Sequence, residues 1–403
     1  MLNIGLQIYT LTAFFNNNNV CFSSSTIHIA SNIIMILKEI SLFNFKNYEQ
    51  ARVSFGPGFN GIYGSNGEGK TNLLDAIYFL CFTKSAFLNN DSDLINHGQS
   101  FNLVKGTFQF EDKINEVSGG IEKGPKKTFS ENSSKYEKLS DHIGEYPAVM
   151  VSPYDMTLIR EGSEERRKFI DGLLSQIDRN YLTNILKYRK ILKQRNAILK
   201  QFDESGFSDP HLIEPYTIEL LKTGKEIYSK RKELITTLYP VIEEQYAILT
   251  NNKENISIRY RSDYDKEDFE SLFYKQFQKE VIVGRTLMGI HKDELVFYMN
   301  EKPLKKLGSQ GQQKSFLIAL KLAQYKIIKE KKGYNPILLL DDIYDKLDDE
   351  RIKGLIELLA SDNYGQVFIS DARPERSAKL MENIKESSRL FIVNSGEITE
   401  MKS

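Results

Sequence analysis

One glycine-rich segment constrains this chain more than any other. Gly64-Ser65-Asn66-Gly67-Glu68-Gly69-Lys70-Thr71 satisfies G-x-x-x-x-G-K-[ST] and adds a third glycine at 67. Phe59 to Tyr63 before it reads as a strand. After it, Leu73, Leu74, Ile77, Tyr78, Leu80 and Cys81 fall at helical spacing. Strand, loop and helix in that order turn successive backbone N–H groups, and the positive end of the helix, toward one point where phosphate oxygens fit. Lys70 would supply a point charge to the β- and γ-phosphates, and the Thr71 hydroxyl would ligate Mg²⁺. A glycine-rich turn can also be no more than a turn, but the flanking strand and helix favour the phosphate reading. Other short strand patterns precede it, with Ile36, Ile40, Leu42, Phe43 and Phe45 in one and Val53 and Phe55 in another.

The far end of the chain supplies complementary chemistry. Ile337-Leu338-Leu339-Leu340-Asp341-Asp342 is a buried-strand run ending in two carboxylates. A phosphate-loop protein needs an anion there to hold Mg²⁺, expected at Asp341, and a base for the attacking water, expected at Asp342. A solvated acidic turn is the bland alternative. Between loop and strand, Leu307-Gly308-Ser309-Gln310-Gly311-Gln312-Gln313-Lys314 opens a helical pattern. A Ser-x-Gly-Gln turn at a helix start offers N–H groups and a hydroxyl to an anion, although Ser and Gly are also ordinary capping residues.

Together, Gly64 to Thr71, Ser309 to Gln313, Ile337 to Asp342 and Leu347-Asp348 resemble the Walker A, signature, Walker B and D-loop motifs of ABC-type ATPases. More narrowly, several segments resemble the RecF family of bacterial recombination mediators. These are Leu42-x-x-Phe45-x-Asn47-Tyr48, Ser309-Gln310-Gly311-Gln312-Gln313, Asp341-Asp342, Gly289-x-His291-x-Asp293-Glu294, Ser152-Pro153, Gly162-Ser163 and Arg166-Arg167 with Asp171. The resemblance runs from Met35 to the end. The interval from Lys70 to Ser309 is too short for the coiled coils of SMC proteins, and no CxxC hook is present. A small-molecule P-loop kinase would leave Ser309 to Gln313 unexplained.

The resemblance implies an α/β fold: an ABC-type P-loop ATPase head, a mixed sheet with helices, carrying an inserted, mainly helical arm. The expected divisions are 1–34 as a non-domain extension, 35–160 and 285–403 as the two parts of the head, and 161–284 as the arm. It also implies ATP and Mg²⁺ as cofactors and a head-to-tail homodimer formed on ATP. Ser309, Gly311 and Asp348 of one chain would then reach the nucleotide held by Lys70 of the other. The Asp342 carboxylate, one methylene shorter than Glu, predicts slow hydrolysis acting as a switch. Implied partners are single-stranded, gapped or duplex DNA and mediator proteins such as RecR and RecO. A soluble ABC-type ATPase acting on a protein complex is the alternative. Val367 to Ile369 leads into Ser370-Asp371 where many ABC proteins place a switch His, which makes Asp371 a candidate γ-phosphate sensor.

Charge at first argues against nucleic acid, because 54 Lys+Arg balance 54 Asp+Glu. The balance is uneven along the chain, however. Arg179, Lys187, Arg189, Lys190, Lys193, Arg195 and Lys200 share a predicted arm helix that lacks acidic residues, and Lys187, Arg189, Lys190 and Lys193 are the candidate phosphate contacts. Asp341, Asp342, Asp345, Asp348, Asp349 and Glu350 gather near the catalytic strand. The Ser205 to Pro215 stretch is expected to break the arm into a helical hairpin. His291 reads as a structural hydrogen-bonder, and Phe79, Phe82, Phe391, Ile392 and Val393 as core. Two cysteines, Cys21 and Cys81, form no disulfide framework or zinc cluster, which suits a reducing, cytoplasmic setting. The first 34 residues contain no Lys, Arg, Asp or Glu, and Asn and Ser interrupt their apolar stretches, so neither a secretory signal nor a membrane span is expected. Translation starting at Met35 would account for them, with a disordered tail as the alternative.

Overall fold

The computed structural model describes residues 9–16, 19–26, 35–124, 126–344, 347–361, 364–372 and 388–401. Asp345 lies outside them. The chain forms two units, Met1–Ile33 and Ile34–Ser403. In the first, β1 (Tyr9–Asn16) and β2 (Asn19–Thr26) pair antiparallel, with Tyr9 opposite Thr26. Composition alone reads as non-domain sequence. A two-stranded hairpin on its own is marginal in water.

The second unit is built on two six-stranded sheets with one helix between them, and it carries a third, three-stranded sheet. Strands β3 (Met35–Phe45) and β4 (Tyr48–Ser54) form a hairpin, followed by β5 (Phe59–Tyr63), which is buried at every position. Helix α1 (Lys70–Phe82) buries Leu73, Leu74, Ile77, Phe79 and Leu80 completely. It is apolar on most sides because sheets lie on both sides of it. Then come β6 (Phe101–Phe110), β7 (Lys113–Glu122), β8 (Lys126–Glu131) and β9 (Ser134–Lys135), which complete an antiparallel sheet of order β4-β3-β6-β7-β8-β9.

Strand β10 (Ala148–Val151) leads into the helices α2 (Thr157–Arg160), α3 (Ser163–Ile177), α4 (Arg179–Ser205) and α5 (Pro210–Thr250). Capping sets the α4–α5 hairpin. The Asp178 carboxylate accepts the Tyr181 N–H at 2.9 Å, Gly206 ends α4 at φ 67°, and the Asp209 carboxylate accepts the His211 N–H at 2.9 Å. The break is shorter than the Ser205–Pro215 expectation. Pro210 occupies the first helical turn, where no N–H is needed, and Pro215 and Pro240 lie inside α5 on its exposed side, where water reaches the freed carbonyls.

The remainder comprises β11 (Ile256–Arg261), α6 (Phe269–Lys275), α7 (Phe277–Val283), β12 (Glu294–Met299), β13 (Lys302–Pro303), α8 (Leu304–Leu307), α9 (Gln310–Lys332), β14 (Ile337–Asp341), α10 (Asp349–Ser361), β15 (Val367–Asp371), β16 (Arg389–Asn394) and β17 (Glu397–Glu400). The second six-stranded sheet has the order β10-β14-β15-β5-β16-β17, parallel except for β17. Its alternating side chains separate two cores. Ile337, Leu339, Phe368, Phe391 and Val393 face α1 and the antiparallel sheet, whereas Leu338, Leu340, Val367 and Ile369 share a cluster with α9 and with Leu182, Leu220 and Leu234 of the long hairpin. The hairpin therefore shares its core with the head. Ile392, expected in the core, is 41% exposed because it alternates with Phe391 and Val393 along β16.

Candidate functional site

The loop from Gly64 to Gly69 sits at the carboxyl end of β5, between β15 and β16. Open parallel sheets present ligand crevices at this end. Gly64 adopts φ 154°, and a Cβ there would lie 2.2 Å from the Val393 carbonyl oxygen of β16, so only glycine fits. Outside the loop, the Tyr48 hydroxyl donates to the Gly69 carbonyl at 2.9 Å and the Asn47 amide to the Glu68 carbonyl at 3.1 Å. The Ser395 N–H donates to the Glu68 carboxylate. The β3–β4 turn and the β16–β17 turn thus hold the loop from two sides.

Lys70 folds back on this loop, donating to the carbonyls of Gly64 at 2.7 Å and Ser65 at 2.8 Å. Burial holds its ammonium below the ordinary lysine range, and the charges of Asp341, Asp342 and Asp371 oppose that shift. The Thr71 hydroxyl donates to the Asp341 carboxylate, with its oxygens at 2.9 and 3.0 Å, and the Ser370 hydroxyl donates to the same group at 2.5 Å. Burial raises the Asp341 carboxyl above its usual range, and these two hydroxyls offset part of the rise. A hydroxyl and a carboxylate converging on one point are hard oxygen donors of the kind Mg²⁺ takes alongside phosphates, so the residues fit that ion. Asp342 is exposed, in the left-handed region at φ 46°, with its N–H directed at the Ser370 carbonyl and hydroxyl at 3.3 and 3.2 Å.

Asn66, Gly67, Gly69, Lys70, Thr71, Asn72, Asp341, Asp342, Ser370 and Ala372 line a cleft of about 220 Å³. Ser309, Gly311 and Asp348 are not among its walls. Ser309 caps α9 in a reciprocal pair: its hydroxyl accepts the Gln312 N–H at 3.2 Å, and the Gln312 side chain accepts the Ser309 N–H at 2.8 Å. Asp348 accepts the Arg351 N–H at 2.9 Å at the start of α10. Both side chains face solvent. Asp371, the candidate sensor, is buried, and it is Ser370 that touches Asp341. Ser370 carried no motif signal of its own; its position beside the carboxylate run arises from β14–β15 pairing.

The basic helix differs from expectation. Lys187 pairs with Glu219, Arg189 with Asp171 at 2.8 Å, Arg179 with Asp141 at 2.6 Å, Lys200 with Glu204 at 3.6 Å, and buried Arg195 with Glu280 at 2.7 Å. Except for Glu204, these acids come from other elements, which a single-helix charge count misses. Among the described residues, Lys190 and Lys193 form no ion pair and are exposed. His291 is held as expected, Nδ1 against the Tyr188 hydroxyl at 2.9 Å and Nε2 against the Thr286 carbonyl at 3.2 Å. Beside it, Arg231 of α5 bridges Asp171 at 2.8 Å and Asp293 at 2.6 Å.

Sheet order, loop and carboxylate strand together define an ATPase head of the ABC and SMC class. The family described as the RecF/RecN/SMC N terminal domain matches residues 36–399. The SMC head domain of Pyrococcus furiosus shares the fold, at TM-score 0.54 and 17% identity over 92% of this chain and 97% of that one. The chain belongs to the RecF family. It is 44% identical to the DNA replication and repair protein RecF of Cytophaga hutchinsonii over 91% of this chain and 97% of that protein. The Flavobacterium johnsoniae RecF is 41% identical over 89% and 99%. A structure of the recombination mediator protein RecF with ATP, in the RecFOR pathway, superposes at TM-score 0.83 with 27% identity, covering 93% of this chain and all of that one. Among the described residues no helix is long and apolar enough to cross a membrane.

Proposed function

We propose that this chain is a cytoplasmic, ATP-gated DNA-binding protein of recombinational repair. The observation that supports it is the division of the site: the phosphate loop and Asp341 converge in one cleft, while Ser309 and Asp348 face solvent away from it. Such a division suits two chains meeting head to tail, each supplying Ser309, Gly311 and Asp348 to ATP held by the other's loop. On binding, the Lys70 ammonium exchanges the Gly64 and Ser65 carbonyls for phosphate oxygens, while the loop N–H groups Gly67 to Thr71 surround them. Thr71 and Asp341 would hold Mg²⁺, which neutralises charge developing on the phosphates when bound. Asp342 orients the attacking water. Its short side chain makes hydrolysis slow, so turnover acts as release from DNA.

Lys190 and Lys193 are the cations of α4 available to DNA phosphates, with RecR- and RecO-like mediators as protein partners. The pairing of Lys187 and Arg189 favours a second reading, in which the arm docks a protein complex instead of DNA. Sedimentation of the wild type and of Ser309→Arg, with ATP and with or without gapped DNA, tests both. The expected result is ATP-dependent wild-type dimers that associate with DNA, and Ser309→Arg monomers that still bind ATP. Dimers that ignore DNA would support docking to a protein. Dimers formed equally by Ser309→Arg would exclude the shared site.

A further inference from the structure

The signature turn and the D-loop helix lie at the starts of different helices, yet one carboxylate joins them. Glu254, just past the foot of α5, accepts the Gln312 side-chain N–H at 2.9 Å and the Arg351 guanidinium at 3.3 Å, both on Oε1. Its other oxygen accepts the hydroxyl of Tyr246, a buried residue of α5. Both donors to Oε1 belong to motif caps. The Gln312 amide that donates to Glu254 uses its own oxygen to hold the Ser309 N–H. Arg351 donates its backbone N–H to Asp348, and its guanidinium lies 3.7 Å from the Asp348 carboxylate. Nearby, Asn251 and Lys253 both reach Glu350 at 2.7 Å, so the foot of α5 grips the first turn of α10 a second time.

We infer that Glu254 is a positioning residue that fixes the spacing of Ser309 and Asp348 and ties both to the arm through α5. This rests on the shared-site reading above, because the two motifs need a common register only if they meet one nucleotide on a second chain. Glu254 touches neither the phosphate loop nor the cleft lining, so a chain lacking its carboxylate keeps its own ATP cradle. The carboxylate is small and mostly enclosed, with the Glu254 and Arg351 side chains each 16% exposed, so the link works at low effective dielectric. Helix α5 runs from Pro210 to Thr250, about 60 Å at 1.5 Å per residue, and Glu254 follows its last turn by four residues.

Glu254→Gln in the full chain keeps the volume and removes the charge. ATP affinity of the single chain should equal that of wild type, while the ATP-dependent dimerisation constant should fall by about tenfold or more, within the range of coupled sites. A merely structural loss would lower ATP affinity and thermal stability along with dimerisation. Hydrogen exchange followed by mass spectrometry supplies a readout that needs no dimer: Glu254→Gln should speed exchange in peptides covering 309–313 and in those covering 348–352. Ser309→Arg is the control for the parent reading. Wild-type dimerisation in Glu254→Gln, with Ser309→Arg monomeric, would overturn the inference. So would faster exchange in only one of the two segments. If wild type itself stays monomeric with ATP, or Ser309→Arg dimerises, the shared-site reading falls, and the exchange result alone decides whether Glu254 couples the two turns.

Discussion

Replacing Arg231 with Met removes the cation that joins the arm to the segment before β12. Arg231 is 1% exposed and serves two carboxylates, Asp171 at 2.8 Å and Asp293 at 2.6 Å, and also the Ile290 carbonyl at 2.8 Å. The two acids do not suffer equally. Asp171 keeps Arg189 at 2.8 Å and the Tyr181 hydroxyl at 2.5 Å, whereas Asp293, 1% exposed, keeps the Tyr260 hydroxyl at 2.5 Å and no cation within ion-pair distance among the described residues. Removing one member of a buried pair costs about 3–5 kcal/mol, most of it from the charge left behind. Burial already raises the Asp293 carboxyl, and Arg231 is the main opposing influence. Without it the folded-state pKa rises further above the unfolded value. A raised carboxyl binds its proton more tightly in the folded state, so stability falls as pH climbs from the unfolded pKa through the folded one. The Arg231→Met deficit should therefore be smaller at pH 5 than at pH 8. Adding Asp293→Asn should recover a large part of it by abolishing the orphaned charge. The chain has no tryptophan, so urea unfolding is followed by circular dichroism. A deficit below about 1 kcal/mol, or a double variant no more stable than the single one, would refute the reasoning.

Lys70→Ala removes a group whose folded-state bonds are two loop carbonyls, so stability should hold while ATP affinity drops about 10- to 150-fold by calorimetry. Burial lowers the His291 imidazole to about 4 from 6.5, so the unfolded chain binds its proton first as pH falls. Stability is full above pH 6.5 and declines toward pH 4, by about 3 kcal/mol from this residue, and His291→Gln should flatten that part of a urea-midpoint titration against wild type. Lys190→Ala with Lys193→Ala should lower the salt slope of DNA binding by about 2, whereas an unchanged slope would remove α4 from the DNA contact.

Much of this site was legible in the sequence because its motifs are local. Gly64 to Thr71 and Ile337 to Asp342 announce a turn and a strand end whatever surrounds them, and Phe59–Tyr63 marks the strand that carries the loop. The charge of α4 was not legible, because Glu219, Asp171 and Glu280 reach it from α5, α3 and α7, and a run read along one helix cannot include them. Glu254 stayed hidden for the same reason. It belongs to no motif, and its role exists only where the ends of α5, α9 and α10 meet. The break after α4 is shorter than its prolines suggest, because proline stops a helix only in its interior. Pro210 starts a helix, and the exposed backbone at Pro215 tolerates the lost bond.

The place of β5 at the middle of its sheet has a consequence for synthesis. Its neighbours β15 and β16 follow it in the chain by about 300 residues, so β5 and the loop it carries emerge long before the strands that flank them. At about 5–20 residues per second the wait lasts on the order of tens of seconds. During it, apolar β5 has neither sheet neighbour and the glycine-rich loop lacks Asp341, so an unfinished chain has an incomplete cleft and an apolar strand with unpaired edges. Loss of the C-terminal strands by early termination would leave β5 in that state permanently, with aggregation, not a nucleotide-bound fragment, as the outcome.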